Sequence, residues 1–201
     1  MKGIHRMTRA AVAGLALLLL TACASAPPDQ FYRLGVPGLA APAVLRQSPV
    51  VLIAPVSVPD LVDRPQIVTL GPGSRVQVSD QLRWAEPLKL ALGRLLAERI
   101  GTRLGLAQVW AYPAEPGTEA QMRISVAVQR FDSEAGVAAS STLLWTVRRM
   151  RDGQTRSGRS EARAVPADAS IGALVEAHGQ ALARAGDEIA AAVAELSASA
   201  P

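Results

Sequence analysis

The segment Met122-Arg123-Ile124-Ser125-Val126-Ala127-Val128 decides the fold, because its large apolar residues fall at every second position. Period two marks a strand with one buried and one wet face. Phe131 arrives on the wrong parity for that pattern, so a bulge or strand end is expected near Arg130. Leu143, Trp145 and Val147 resume the alternation. Asp152-Gly153 follows, a dipeptide suited to the positive backbone angles of a tight hairpin turn. The spacing therefore predicts a second strand that turns back into a third across residues 155–165.

Upstream of this meander, Val50-Val51-Leu52-Ile53-Ala54 is apolar without interruption, the pattern of a central strand buried on both faces. Residues 66–70 and 75–78 are short strand candidates joined by Gly71-Pro72-Gly73, the second alternating as a half-buried strand with Val76 and Val78, and residues 31–34 and 108–112 supply two more. Residues 35–49, with three prolines and two glycines, read as an irregular connection. Behind Pro87, Leu88, Ala91, Leu92, Leu95, Leu96 and Ile100 recur at helical spacing until Gly101 and Gly105 close the pattern. A second helix over residues 170–196 carries Ile171, Leu174, Val175, Leu182, Ile189, Val193 and Leu196 on one stripe. Strands, helix, strands, helix predict an α+β fold of one domain, with two helices covering one face of a largely antiparallel sheet. Trp84 is expected to pack where the first helix begins. Phe31 and Tyr32 are expected in a core strand, with a membrane-interface contact as the alternative.

The first 22 residues stand apart. Lys2, Arg6 and Arg9 precede an apolar run over residues 10–20 that is too short to span a bilayer. Leu20-Thr21-Ala22-Cys23 follows and resembles the lipobox of bacterial lipoproteins, with the chain's only cysteine at its end. Residues 1–22 are then a cleaved signal peptide, and Cys23 is the lipidation site, its thiolate taking a diacylglyceryl group as a thioether. Three fatty chains make the anchor effectively permanent. Ala24 and Ser25 come next rather than aspartate, a pair that in similar lipoproteins goes with the outer membrane. Residues 23–30 form the lipidated N-terminus and tether, residues 31–197 the domain, and residues 198–201 a tail.

Charge excludes one class of partner. Three of the 21 Lys and Arg lie in the signal, which leaves 18 against 17 Asp and Glu, a balance that argues against nucleic acid. A single cysteine, itself acylated, allows no disulfide within the chain. Chemistry is equally sparse. His178 is the one histidine beyond the signal and is expected to be a partly buried structural residue, so neither a zinc site nor a Ser-His-Asp triad is assembled in the pattern. Gly71-Pro72-Gly73 lacks the lysine of a phosphate-binding loop. No catalytic residue, metal ligand or cofactor is assigned.

Two charged groups remain as candidates for docking a partner. Asp60, Asp63 and Arg64 lie in a turn stiffened by Pro59 and Pro65, where self-capping aspartates are the structural alternative. Arg148, Arg151 and Arg156 belong to an arginine cluster with Arg149, Arg159 and Arg163 on the predicted hairpin, where the structural alternative is a solvated face.

Phe31-Tyr32-Arg33-Leu34, then Val58-Pro59-Asp60-Leu61-Val62-Asp63-Arg64-Pro65-Gln66-Ile67-Val68, then Trp84-Ala85-Glu86-Pro87-Leu88, placed in this order behind a lipobox cysteine, resemble the ABC-type transport auxiliary lipoproteins. The resemblance implies a non-enzymatic outer-membrane lipoprotein whose periplasmic domain serves a trans-envelope transporter. It further implies a partner of the mammalian-cell-entry type with its ABC permease and ATPase, which move lipids or other hydrophobic molecules. ATP hydrolysis would belong to another subunit. The rival function is a periplasmic carrier holding a lipid in its own apolar cavity. A homo-oligomer is compatible with either.

Overall fold

The computed structural model describes residues 28–36, 38, 46–47, 49–114 and 119–199. Cys23 and the signal lie outside the described residues. In chain order the elements are β1 (Gln30–Tyr32), β2 (Val51–Ile53), β3 (Gln66–Gly71), β4 (Arg75–Trp84), α1 (Leu88–Leu104), β5 (Val109–Ala111), β6 (Met122–Glu134), β7 (Ala138–Arg149), β8 (Thr155–Ala164) and α2 (Ile171–Ala198). The α+β class and the strand, helix, strand, helix order are as the sequence predicts.

The strands form two sheets instead of one. A five-stranded sheet runs β5-β2-β6-β7-β8, and a three-stranded sheet runs β1-β4-β3. β6, β7 and β8 are the antiparallel meander, while β2 lies parallel to both β5 and β6. The parallel pairs arise because α1 carries the chain back from the end of β2 to the start of β5, the crossover that parallel neighbours require. β2 is interior as expected but buried on one face only: Val51 and Ile53 are fully buried, while Leu52 between them points to the other face and is half-buried.

The bulge near Arg130 is present. Val128 pairs with Leu143 and Arg130 pairs with Thr142, so one residue of β6 is left over. That extra residue returns Phe131 to the buried face, which is why its parity differs from that of Val126.

Both helices cover the same side of the large sheet. α1 ends at Gly105, whose left-handed backbone (φ 62°) lets its N–H reach the carbonyls of Gly101 and Thr102. α2 starts at Ser170, whose Oγ accepts from the Ala173 N–H at 3.1 Å. Its inward face is small, with Ala177, Ala181, Ala185 and Ala190 buried, so the helix lies close to Ala139, Ala162 and Ala164 of the sheet. Where the helices cross, a Cβ on Gly186 would stand 2.7 Å from Arg99 Cγ. Arg99 then reaches Asp187 with two hydrogen bonds, at 2.9 and 2.7 Å. Gly158 plays the same role on β8, opposite Trp145, where a Cβ would stand 2.2 Å from the indole. The indole lies on the buried side and donates to Ser160 Oγ at 2.8 Å, which in turn donates to Glu188 of α2.

Three expectations change. β4 is longer than predicted and ends in Trp84, which packs in the core ahead of α1 as expected, edge-on to Phe131 with ring centroids 6.2 Å apart. Tyr32 is half-buried against the core, but Phe31 is 63% exposed and outside it. Alternation explains the split, since neighbouring residues of a strand face opposite ways. Val76 and Val78, expected to be half-buried, are exposed on the far part of β4, beyond the three residues that β1 covers.

Candidate functional site

The parallel strands β2 and β5 give the domain two distinguishable ends. Where they finish, α1 begins, and the three segments that carry the resemblance meet there. The Ala85 N–H donates to Tyr32 O at 2.8 Å, and the Trp84 N–H donates to Pro65 O at 2.8 Å. Arg94 of α1 ties two of the segments together, donating to Leu34 O at 2.7 Å and to Glu86 at 2.7 and 3.1 Å. Sequence separation hides this convergence, because residues 32, 65 and 85 are brought side by side only by the β1-β4-β3 sheet.

The turn bearing Asp60, Asp63 and Arg64 closes on its backbone. The N–H groups of Val62 and Asp63 donate to Pro59 O at 3.0 and 3.2 Å. The aspartates do not cap it. Asp63 instead accepts from Lys89 Nζ at 3.2 Å, which pins the turn to the first residues of α1. Lys89 and Asp63 line a cleft of about 530 Å³ with residues 54–58 and Tyr112. Asp60 and Arg64 are exposed. Tyr112 also lines a neighbouring cleft of about 580 Å³ with Arg33, Trp110, Glu86 and Arg94.

The opposite end holds the β7–β8 hairpin and the C-terminus of α2. The predicted arginine cluster divides here. Arg149 is not on a solvated face but is 4% exposed, and its guanidinium donates to Asp152, to Gln154 Oε1 at 2.7 Å and to the Leu196 carbonyl. It thus closes the turn and satisfies a carbonyl in the last turn of α2 at once. The hydrogen bond from Arg149 holds the Asp152 carboxyl at about 2, below the ordinary carboxylate value, and Asp152 in turn raises the guanidinium. Arg148, Arg151 and Arg156 remain exposed. Arg156 lies 3.5 Å from Glu195 and Arg151 3.9 Å from Asp152, both loose pairs. Arg151 lines a cleft of about 660 Å³ together with Met122, Met150, Leu196, Pro49 and Gln121 among others. The structure therefore does not bring Asp60, Asp63 and Arg64 together with Arg148, Arg151 and Arg156. The Ser57–Ala127 bridge that leads into the acidic turn lies five residues along β6 from the Met122–Arg149 pair, about 17 Å away.

His178 is fully buried, deeper than expected. Its Nε2 lies 2.8 Å from Ser133 Oγ, its ring stacks on Phe131 at 4.0 Å, and its Nδ1 has no partner among the described residues. Burial lowers its basicity to about 3. The ring is therefore neutral in the fold, sealed from any substrate, and acts as packing. Among the described residues no helix is long and apolar enough to cross a membrane.

Sequence reasoning missed the structural roles of Arg149, Lys89 and Arg94 and the exposure of Trp110 and Tyr112. A signal existed for Arg149: it falls on the inward parity of Leu143, Trp145 and Val147. None existed for Lys89, since it meets Asp63 only through the tertiary fold.

No curated protein matches the chain. Among solved structures, an uncharacterized protein superposes with a TM-score of 0.66 at 17% identity, covering 83% of this chain and 99% of its own. Protein XCC0632 from Xanthomonas campestris, of family DUF330, superposes with a TM-score of 0.64 at 20% identity, covering 85% and 99%. These likenesses establish the fold. The family described as the ABC-type transport auxiliary lipoprotein component matches residues 32–190, a span that takes in all the elements from β2 to β8 and most of α2, and the chain belongs to that family.

Proposed function

We propose that the protein is an outer-membrane lipoprotein, acylated at Cys23, whose periplasmic domain docks a trans-envelope ABC transport system without chemistry of its own. The partner is a mammalian-cell-entry-type subunit working with its permease and ATPase, and the cargo is lipid or another hydrophobic molecule. The observation that carries this reading is the family match over residues 32–190. The filled interior supports it against a carrier: Leu92, Leu95, Leu96, Leu143, Leu182 and Ile189 are fully buried between sheet and helices.

Of the two charged groups, the hairpin end suits docking better. Asp63 is already engaged by Lys89, whereas exposed Arg151 lines the 660 Å³ cleft with exposed Met150, and Arg148 is exposed on the same hairpin. A thioether-side patch rimmed by guanidinium groups fits an acidic, partly apolar surface. Crosslinking in intact cells tests the reading. The wild-type protein should capture transporter subunits, and Arg148→Glu with Arg151→Glu should reduce that capture while leaving the domain folded. Capture of no transporter component, alongside a control lipoprotein that does capture its partner, would overturn it. A lipid retained through gentle purification would favour the carrier.

A further inference from the structure

The chain has seven aromatic residues, and three of them are exposed: Phe31 (63%), Tyr112 (53%) and Trp110 (43%). All three belong to edge strands or the residue after one, Phe31 to β1 of the small sheet and Trp110 and Tyr112 to β5 of the large one. Arg33, two residues after Phe31, lines one cleft together with Trp110, Tyr112 and Pro113. Phe31 itself pairs with Arg83 on the outer side of β1, while Tyr32 pairs with buried Trp84. The core does not use these rings.

We propose that this aromatic edge rests on the phospholipid surface that the anchor occupies, with Phe31, Trp110 and Tyr112 entering the headgroup region. The proposal rests on the acylation of Cys23. Phe31 lies eight residue steps after Cys23, a reach of at most about 28 Å fully extended and about 16 Å as a flexible chain. Phe31 is thus held within a domain's width of the bilayer at all times. At that distance the effective concentration of membrane is high, and a weak contact is enough to orient the domain. Indole and phenol rings favour the interface because their bodies are apolar and their tips form hydrogen bonds. Arg33, exposed on the same cleft, supplies a cation for phosphate groups. The β7–β8 hairpin lies across the large sheet from β5, so the contact at the β5 edge leaves Met150 off the membrane.

The test uses the purified acylated lipoprotein in vesicles of phosphatidylethanolamine and phosphatidylglycerol whose acyl chains are brominated near the headgroup. Two reporters are compared in a Trp110→Phe background, which removes the native tryptophan placed at the lipid: Phe31→Trp on β1 and Met150→Trp on the hairpin. Both positions are exposed, so each reports on its surroundings without disturbing the core. Emission from Phe31→Trp should be quenched by brominated lipid and emission from Met150→Trp should not. Trp110→Phe should remove most of the quenching seen in the parent protein. Equal quenching of the two reporters, or none in protein that floats with the vesicles, overturns the membrane contact while leaving the anchor intact. Failure of the protein to float with vesicles overturns the anchor and the contact together.

Discussion

Two sides of the domain break the usual partition of residues in opposite directions. At the β7–β8 hairpin a guanidinium is drawn inside; at the edge strands β1 and β5 three aromatic rings are left outside. Arg149 is buried because the turn and the last carbonyls of α2 need donors, and one planar group with five N–H bonds supplies them. Phe31, Trp110 and Tyr112 are exposed although nothing in the backbone requires it. The first inversion is accounted for within the chain. The second points to something outside it, because apolar surface left at one edge of a domain marks contact with a membrane or partner.

Trp84 sits on β4, the strand beside Phe31, but inside, so the pair separates core from surface most sharply. Trp84→Ala should cost about 3 to 5 kcal/mol, read as a lower denaturation midpoint. Phe31→Ser should leave the midpoint where it is. A large loss from Phe31→Ser would mean that the β1 edge is core after all, and the contrast between the two sides would fail.

Gly158→Ala tests how tightly the large sheet holds Trp145. The new methyl group would overlap the indole, so the ring must move or the strand must shift, a cost of about 1 to 3 kcal/mol. Tryptophan emission should shift with it, because the bond to Ser160 would be lost.

Acid separates His178 from the hairpin clamp. His178 titrates at about 3 in the fold and near 6.5 when unfolded, so between these values the unfolded chain binds the extra proton and stability falls as pH falls. From pH 6.5 to pH 5 the loss is about 2 kcal/mol, and His178→Gln should flatten that part of the profile. Asp152 acts lower. Its carboxyl is depressed to about 2, so its contribution is complete above the ordinary carboxylate value and disappears as pH falls through 2. Asp152→Asn should alter the profile only below about pH 4.

The smallest expected effect is at Arg148. Arg148→Met should change stability by less than about 0.5 kcal/mol, whereas Arg149→Met, one residue on, should clearly lower the unfolding midpoint because it strips the carbonyl of Leu196 of its donor. Equal effects from the two would mean that the clamp does not stabilise the hairpin end.

Local pattern made much of this legible. The alternation of Met122, Ile124, Val126 and Val128, the misplaced parity of Phe131 and the turn at Asp152-Gly153 each encode a feature within a few residues, and the meander with its bulge follows. The helices and their ends at Ser170 and Gly105 were legible for the same reason. The candidate docking groups were legible only as charge. Charge alone does not distinguish Arg149 inside from Arg148 outside, and the aspartates of the turn gave no sign of the partner that Asp63 takes.

The sequence by itself determined the α+β class, the strands of the meander, both helices and, through the motifs at residues 31–34, 58–68 and 84–88, the family. These depend on periodicity and on neighbours along the chain. Only the tertiary structure decided that the strands divide into two sheets, that Lys89 meets Asp63, that Arg149 closes the end of α2, and that Phe31 stays in the open. Each of these depends on residues tens of positions apart or on which side of a strand the core lies, and the chain fixes that only when its apolar faces close on one another.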